Sequence, residues 1–238
     1  MAAARGDDEQ APVSPFLLGG PNAMTSRIVA LGVPRSYRTG DHVYRQGEIS
    51  SWFHVVVTGR VRIYLHRPDG TERVLAYAEP GSSLGEAACF DGRPRHLGSV
   101  ATEPSQVVAV SRDALLDAAR DDPALLLEVT RRIAYKQRVM QLHVMIDGLP
   151  ARERVTLLLG HLVEAYGEVS LTTSPNTSTR LSIRPAIDEL ALMVGLTRVT
   201  MSRELSKLVV EGVLIKEGRT IVVRDLPALR RRVHAVAV

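Results

Sequence analysis

The chain has 238 residues, enough for one large domain or two ordinary ones, and 45% of them are apolar, so at least one proper core can form. No run approaches the roughly 20 apolar residues that cross a bilayer, and the stretch from Met1 to Asn22 is acidic and lacks the apolar centre of a signal peptide, which points to a cytoplasmic location. The net charge of +4 permits nucleic-acid binding without establishing it, and the single cysteine, Cys89, excludes an intramolecular disulfide and any site built on several thiolates.

Residues 1–23, rich in Ala, Gly, Pro, Asp and Glu, read as a disordered leader. From 24 to 121 the chain reads as a β jelly roll. The short apolar runs 54–57, 61–65, 74–77 and 107–110 alternate with turn signals at Gly40-Asp41, Gly47-Glu48, Gly59-Arg60 and Gly81. Pro68-Asp69-Gly70, between two such runs, predicts a hairpin turn in which Gly supplies the positive φ. Cys89 lies in this part and is expected to be a buried thiol acting as a small apolar residue, with a redox role as the alternative.

The periodicity then becomes helical. Over 122–147, Leu126, Ile133 and Met140 recur every seven residues, with Val129, Lys136 and His143 as a companion row. Such a narrow seam predicts a long helix that pairs with a second copy of the chain, making a homodimer. Residues 151–166 predict another amphipathic helix, carrying Val155, Leu158, Leu159, Leu162 and Val163 on one side, and Gly167 to Arg180 reads as a polar loop, followed by a short strand.

The segment 182–210 has the pattern of a helix-turn-helix, within a C-terminal unit spanning 148–238. Pro185 suits a first helical turn, Ile187, Leu190, Ala191 and Val194 face inward, and Gly195 ends the first helix. Thr197 caps the second, whose apolar face is Met201, Leu205 and Leu208. Ala191 lets the helices approach closely, Gly195 allows the tight turn, and Met201 fills the crossing. Arg198, Val199 and Ser202 then fall on the outward face, with Arg203 alongside, where a recognition helix meets base edges. Val213 to Ile215 and Thr220 to Val223 flank a charged tip and predict a wing. The candidate DNA-binding residues are therefore Thr197, Arg198, Val199, Thr200, Ser202, Arg203, Lys207 and Arg219. The predicted fold class is α+β: a jelly roll, a long dimerisation helix and a winged helix-turn-helix.

In that order, these elements resemble the CRP/FNR family of bacterial transcription regulators, over about residues 35–225. The resemblance rests on the Gly40 and Gly47-Glu48 turns, Gly59-Arg60-Val61, the segment from Gly81 to Gly92, and Thr197-Arg198-Val199-Thr200-Met201-Ser202-Arg203. It implies a dimeric regulator that binds near-palindromic double-stranded DNA and works with RNA polymerase. Val199 stands where the family often has Glu, an acceptor for cytosine N4; Val offers only an apolar contact to a thymine methyl, so a different half-site is implied. Val-Thr-x-Ser-Arg is also reminiscent of regulators of organohalide respiration.

The segment from Gly85 to Arg95 is similar to the phosphate-binding cassette of cyclic-nucleotide domains. That similarity implies Glu86 at a ribose hydroxyl, Arg95 on a cyclic phosphate, and loop amides around it. The implied effector residues are Gly85, Glu86, Ala87, Ala88, Arg95, His96, Val139 and Met140. Val139 and Met140 align where the cyclic-AMP receptor contacts adenine through hydroxyls, and His96, Leu97 and Gly98 depart from the family pattern after the Arg. Three alternatives stand: cAMP or another cyclic nucleotide, a different small effector, or no effector and control by abundance. A structural reading makes Glu86 and Arg95 an ion pair holding the loop. Haem is a further alternative through His42, His54, His66 or His96, but no spacing defines a metal site. A cupin-like metal enzyme would need a His-x-His pair, and the scattered histidines do not supply one, so the chain reads as a non-enzyme.

Overall fold

The computed structural model describes residues 14–19, 22–170, 178–181, 186–217 and 220–237, apart from the side chains of 168–170, 178, 180, 181 and 234–237. The chain opens with β1 (Leu17–Leu18), α1 (Thr25–Val29), β2 (Val33–Tyr37), β3 (His42–Tyr44), β4 (Trp52–Thr58), β5 (Val61–His66), β6 (Glu72–Ala78) and β7 (Ser83–Leu84). Then come α2 (Glu86–Asp91), β8 (Gly98–Ala101), β9 (Ser105–Ser111) and α3 (Arg112–Asp121). The strands form two sheets, β1-β6-β5-β8-β3 and β2-β9-β4-β7. Alternation along β4 sorts its side chains between two cores. Val56 joins Val61, Ile63, Ala76 and Val107 between the sheets, while Phe53 and Val55 face Ile28, Val108, Leu115, Leu125 and Val129 beneath the helices.

The long helix α4 (Ala124–Asp147) leads into α5 (Ala151–Tyr166), β10 (Gly167–Ser170) and β11 (Ser178–Leu181). The helix pair α6 (Ile187–Val194) and α7 (Arg198–Val210) follows, then the wing strands β12 (Leu214–Glu217) and β13 (Thr220–Val223), and finally α8 (Leu226–Ala237). The third sheet has the order β10-β11-β13-β12. A third core joins the two halves of the molecule. Phe16, Val74 and Tyr77 pack with Leu158, Leu190, Met193, Val194, Met201 and Leu205.

Several expectations change. The leader is not wholly without structure: Leu17 and Leu18 pair in parallel with Tyr77 and Ala78, and Phe16 is fully buried. Burying that ring and closing the edge of β6 repays the ordering of a polar segment. The polar loop after Gly167 holds strands at both ends, 167–170 and 178–181, which complete the sheet of the wing. The companion row of α4 is not a dimer surface. Val129 and His143 are buried in the chain's own core, and Lys136 turns inward to an ion pair. The apolar side chains left exposed on α4 include Leu126, Ile133 and Val144. The helices α1, α2, α3 and α8 are additions, the first three of them in the stretch that reads as a jelly roll. No helix is long and apolar enough to cross a membrane among the described residues.

Candidate recognition helix and effector cavity

The helix-turn-helix forms because each local signal agrees with the packing. Leu190, Ala191, Val194, Met201, Leu205 and Leu208 are all buried. Gly195 takes the left-handed conformation at φ +63° at the end of α6. Thr197 caps α7, its Oγ1 accepting from the Thr200 amide at 3.2 Å. Arg198, Val199 and Arg203 are exposed, with Thr200 and Ser202 half-buried beside them, so one face of the first two turns presents two guanidinium groups and two hydroxyls. Among the described residues Arg198 makes only a surface pair with Asp188, at 3.3 Å, which is weak enough to exchange for another partner. Lys207 is exposed but engaged by Glu204 at 2.8 Å. Pro185 and Arg219 lie outside the described residues.

A cavity of about 280 Å³ opens between the jelly roll and α4. Gly85, Glu86, Ala87, Ala88, Arg95, His96 and Met140 line it, as does the apolar wall of Leu18, Ile63, Leu75 and Leu84. The structure therefore brings together seven of the eight residues that the cassette implies. Val139 is the exception. It is fully buried and packs between the sheets, because it faces the jelly-roll core while Met140, one residue on, turns to the cavity.

Glu86 and Arg95 do not pair. Glu86, 2% exposed, takes Lys136 of α4 instead, with Nζ 2.5 Å from both carboxylate oxygens, and also accepts from the Ser83 hydroxyl. Burial pushes the carboxyl upward, but Lys136 and Ser83 outweigh it and hold Glu86 below the usual carboxylate range. Lys136 also donates to the Ser83 carbonyl at 2.7 Å. Arg95 donates to the carbonyls of Trp52 (2.6 Å) and Gly85 (3.2 Å) and lies 4.1 Å over the Tyr44 ring. Lys136 is the cavity residue that sequence reasoning missed, and its period-seven position gave no signal of a partner 50 residues away. Its neighbours Ile133 and Gln137 also reach the cavity.

Cys89 is buried, its thiol donates to the Ser51 carbonyl at 3.2 Å, and burial pushes it up to about 11, so it is not poised as a thiolate. Among the described residues no three His, Cys, Asp or Glu side chains converge on a metal-sized site.

The family model of the cyclic nucleotide-binding domain matches residues 34–122, and that of the Crp-like helix-turn-helix domain matches residues 152–232. A CRP-like cAMP-activated global transcriptional regulator of Mycobacterium tuberculosis is 26% identical over 213 residues, 88% of this chain and 90% of the relative. The cyclic AMP receptor protein of Thermus thermophilus is 29% identical over 205 residues, 85% of this chain and 89% of the relative. Among solved structures, FixK2 from Bradyrhizobium japonicum superposes with a TM-score of 0.69 at 26% identity, over 84% of this chain and 96% of that one.

Proposed function

The chain belongs to the CRP/FNR family of DNA-binding transcription regulators, and from that premise we propose that it is a cytoplasmic homodimer, joined along α4, whose operator affinity is set by a small effector in the jelly-roll cavity. Arg198, Val199, Ser202 and Arg203 read the bases of a near-palindromic site. Thr197, Thr200, Lys207 and Arg219 hold its phosphates, and RNA polymerase is the onward partner. The observation that carries the reading is the double use of α4. Its inner face closes the effector cavity through Lys136 and Met140, while Leu126, Ile133 and Val144 remain exposed along it. An effector that moves α4 thereby moves the subunit seam and both recognition helices together. Coupling of this kind is worth roughly 1–3 kcal/mol.

A cyclic nucleotide such as cAMP is the first effector class, supported by the domain match and by the cAMP-activated relatives. The apolar wall and the engagement of Glu86 by Lys136 favour a second class, a small effector with an apolar body and one anionic end. Such a ligand needs Arg95 but leaves Glu86 alone. Calorimetric titration with cAMP, cGMP and benzoate, alongside gel shifts on a selected operator, separates the classes. Heat and an operator-affinity change with cAMP identify the first. No response to any small ligand, with operator binding intact, would leave control by abundance.

Arg198→Ala and Arg203→Ala are each expected to weaken operator binding by about 10- to 100-fold, the worth of one bidentate base contact, with unchanged circular dichroism. Undiminished gel-shift affinity in both variants would remove α7 from the interface.

A further inference from the structure

A second slot opens on the far side of Arg95 and Tyr44, which line both it and the effector cavity. It measures about 310 Å³ and is lined further by Arg35, Tyr37, Glu48, Trp52 and His54. We propose that this slot is a second binding site, for a small anion, formed by Arg35, His54 and Arg95.

Three observations carry it. The first is charge. Two guanidinium groups line one opening beside a neutral imidazole, and Glu48, the carboxylate on its wall, makes no ion pair with them among the described residues. The second is unmet hydrogen-bonding capacity. His54 is 7% exposed, yet among the described residues its ring has no hydrogen-bond partner and only leans on Tyr44, at 5.7 Å between centroids. Arg95 is 3% exposed and its Nε is also unpartnered. Buried polar groups are normally satisfied, so this pair is an exception that a bound anion would remove. Arg35 is exposed and makes no ion pair among the described residues. The third is pre-organisation. His54 sits on β4, Arg35 on β2 and Arg95 on a loop whose backbone is fixed to Glu48 and Gly47, so the site needs no assembly.

The electrostatics agree. Burial, then Arg95 and Arg35, push the His54 imidazole down to about 4, against a smaller opposing effect from Glu86. An anion between these groups reverses the largest charge effects and favours the protonated ring, so binding takes up a proton. An anion in the slot also holds Arg95 away from the effector cavity and competes with the effector. That competition rests on Arg95 serving the effector, as proposed above; occupancy of the slot does not.

The test is histidine ¹H–¹⁵N NMR on the full chain, titrated with inorganic phosphate in one arm and benzoate in the other. His54→Gln assigns the signal. Saturable shifts of His54, a rise of its titration midpoint by about one unit or more, and a tenfold or greater loss of affinity in Arg35→Ala are expected. Saturation with phosphate alone makes the ligand a phosphate, and saturation with benzoate alone makes it a carboxylate seated against Trp52 and Tyr37. Shifts that never saturate, or equal responses in wild type and Arg35→Ala, overturn the site. Operator gel shifts on the same samples show separately whether the regulator itself is active.

Discussion

Gly195 is where a single residue is most tightly constrained. Its backbone is left-handed, and a Cβ there would run into the guanidinium of Arg73, which reaches under the turn from β6. Gly195→Ala therefore combines backbone strain with a clash against a buried cation and is expected to cost about 1–3 kcal/mol in urea denaturation. An unchanged midpoint would mean that Arg73 yields freely. His54 makes a pH prediction. Its folded value lies near 4, below the ordinary 6.5, because burial and then Arg95 and Arg35 disfavour the charged ring. The unfolded chain therefore binds the extra proton first. The stabilisation is complete above pH 6.5 and is lost as pH falls from there through 4, by about 3 kcal/mol in all. His143 and His161 are lowered too, mainly by burial, and act in the same direction. Stability curves of wild type and His54→Gln should converge across this window; parallel curves would show that His54 does not carry the acid sensitivity.

Among the elements, α4 has the most to divide between neighbours. Leu126, Ile133 and Val144 are exposed on a helix whose other side carries the buried Leu125, Val129, Val139, His143 and Ile146, and a partner helix is the natural cover for such a stripe. Val144 is 77% exposed and outside the effector cavity. Val144→Glu should place two like charges across the two-fold seam and raise the dimer dissociation constant by about 100-fold, equivalent to about 3 kcal/mol. Sedimentation velocity at micromolar concentration reads this, and an unaltered dimer would move the seam elsewhere. The same helix shows what the sequence could convey. Period seven revealed its length and the row Leu126, Ile133 and Met140, of which Leu126 and Ile133 are exposed while Met140 turns to the cavity. It could not separate Val129, Lys136 and His143 from that row, since their burial depends on Phe53 and Val55, on Glu86 and on the Leu75 carbonyl, contacts made across long stretches of chain. The helix-turn-helix was legible for the opposite reason. Gly195, Thr197 and the apolar rows act within 20 residues of one another, so capping and turn chemistry are written locally. The cassette was legible as a motif, but that Glu86 would take Lys136 rather than Arg95 depends on how α4 crosses the jelly roll.

For the whole molecule, the decisive element is β6, which touches both ends of the proposed switch. Leu75 and Ala76 line the effector cavity, whereas Val74 and Tyr77 belong to the core shared with the helix-turn-helix. Tyr77 donates to Glu189 of α6, and Tyr166 donates to Glu79 while Arg60 lies 5.0 Å over its ring. Phe16 packs edge-on between His143 and His161, at 5.8 and 5.7 Å, and so ties the N-terminal strand to α4 and α5. The centre of this junction is Asp147. Arg73 donates to it at 2.9 Å and Arg154 approaches at 3.7 Å, while Arg154 also donates to the carbonyls of Leu149 (2.8 Å) and Val194 (3.1 Å). Arg73 is 2% exposed, and among the described residues its other two guanidinium nitrogens have no hydrogen-bond partner. Removing its counter-ion leaves a buried charge uncompensated, normally a loss of about 3–5 kcal/mol; because Asp147 is half exposed and screened, about 1–3 kcal/mol is expected. Asp147→Ala should therefore loosen the C-terminal half from the jelly roll without unfolding either. Trp52, the single tryptophan, reports on the jelly roll, and far-ultraviolet circular dichroism is weighted toward the helices. In urea the two signals should coincide for the wild type, and in Asp147→Ala the dichroism transition should come first. Coincident, unshifted transitions in the variant would show that the apolar contacts of Phe16, Val74 and Tyr77 hold the halves together alone.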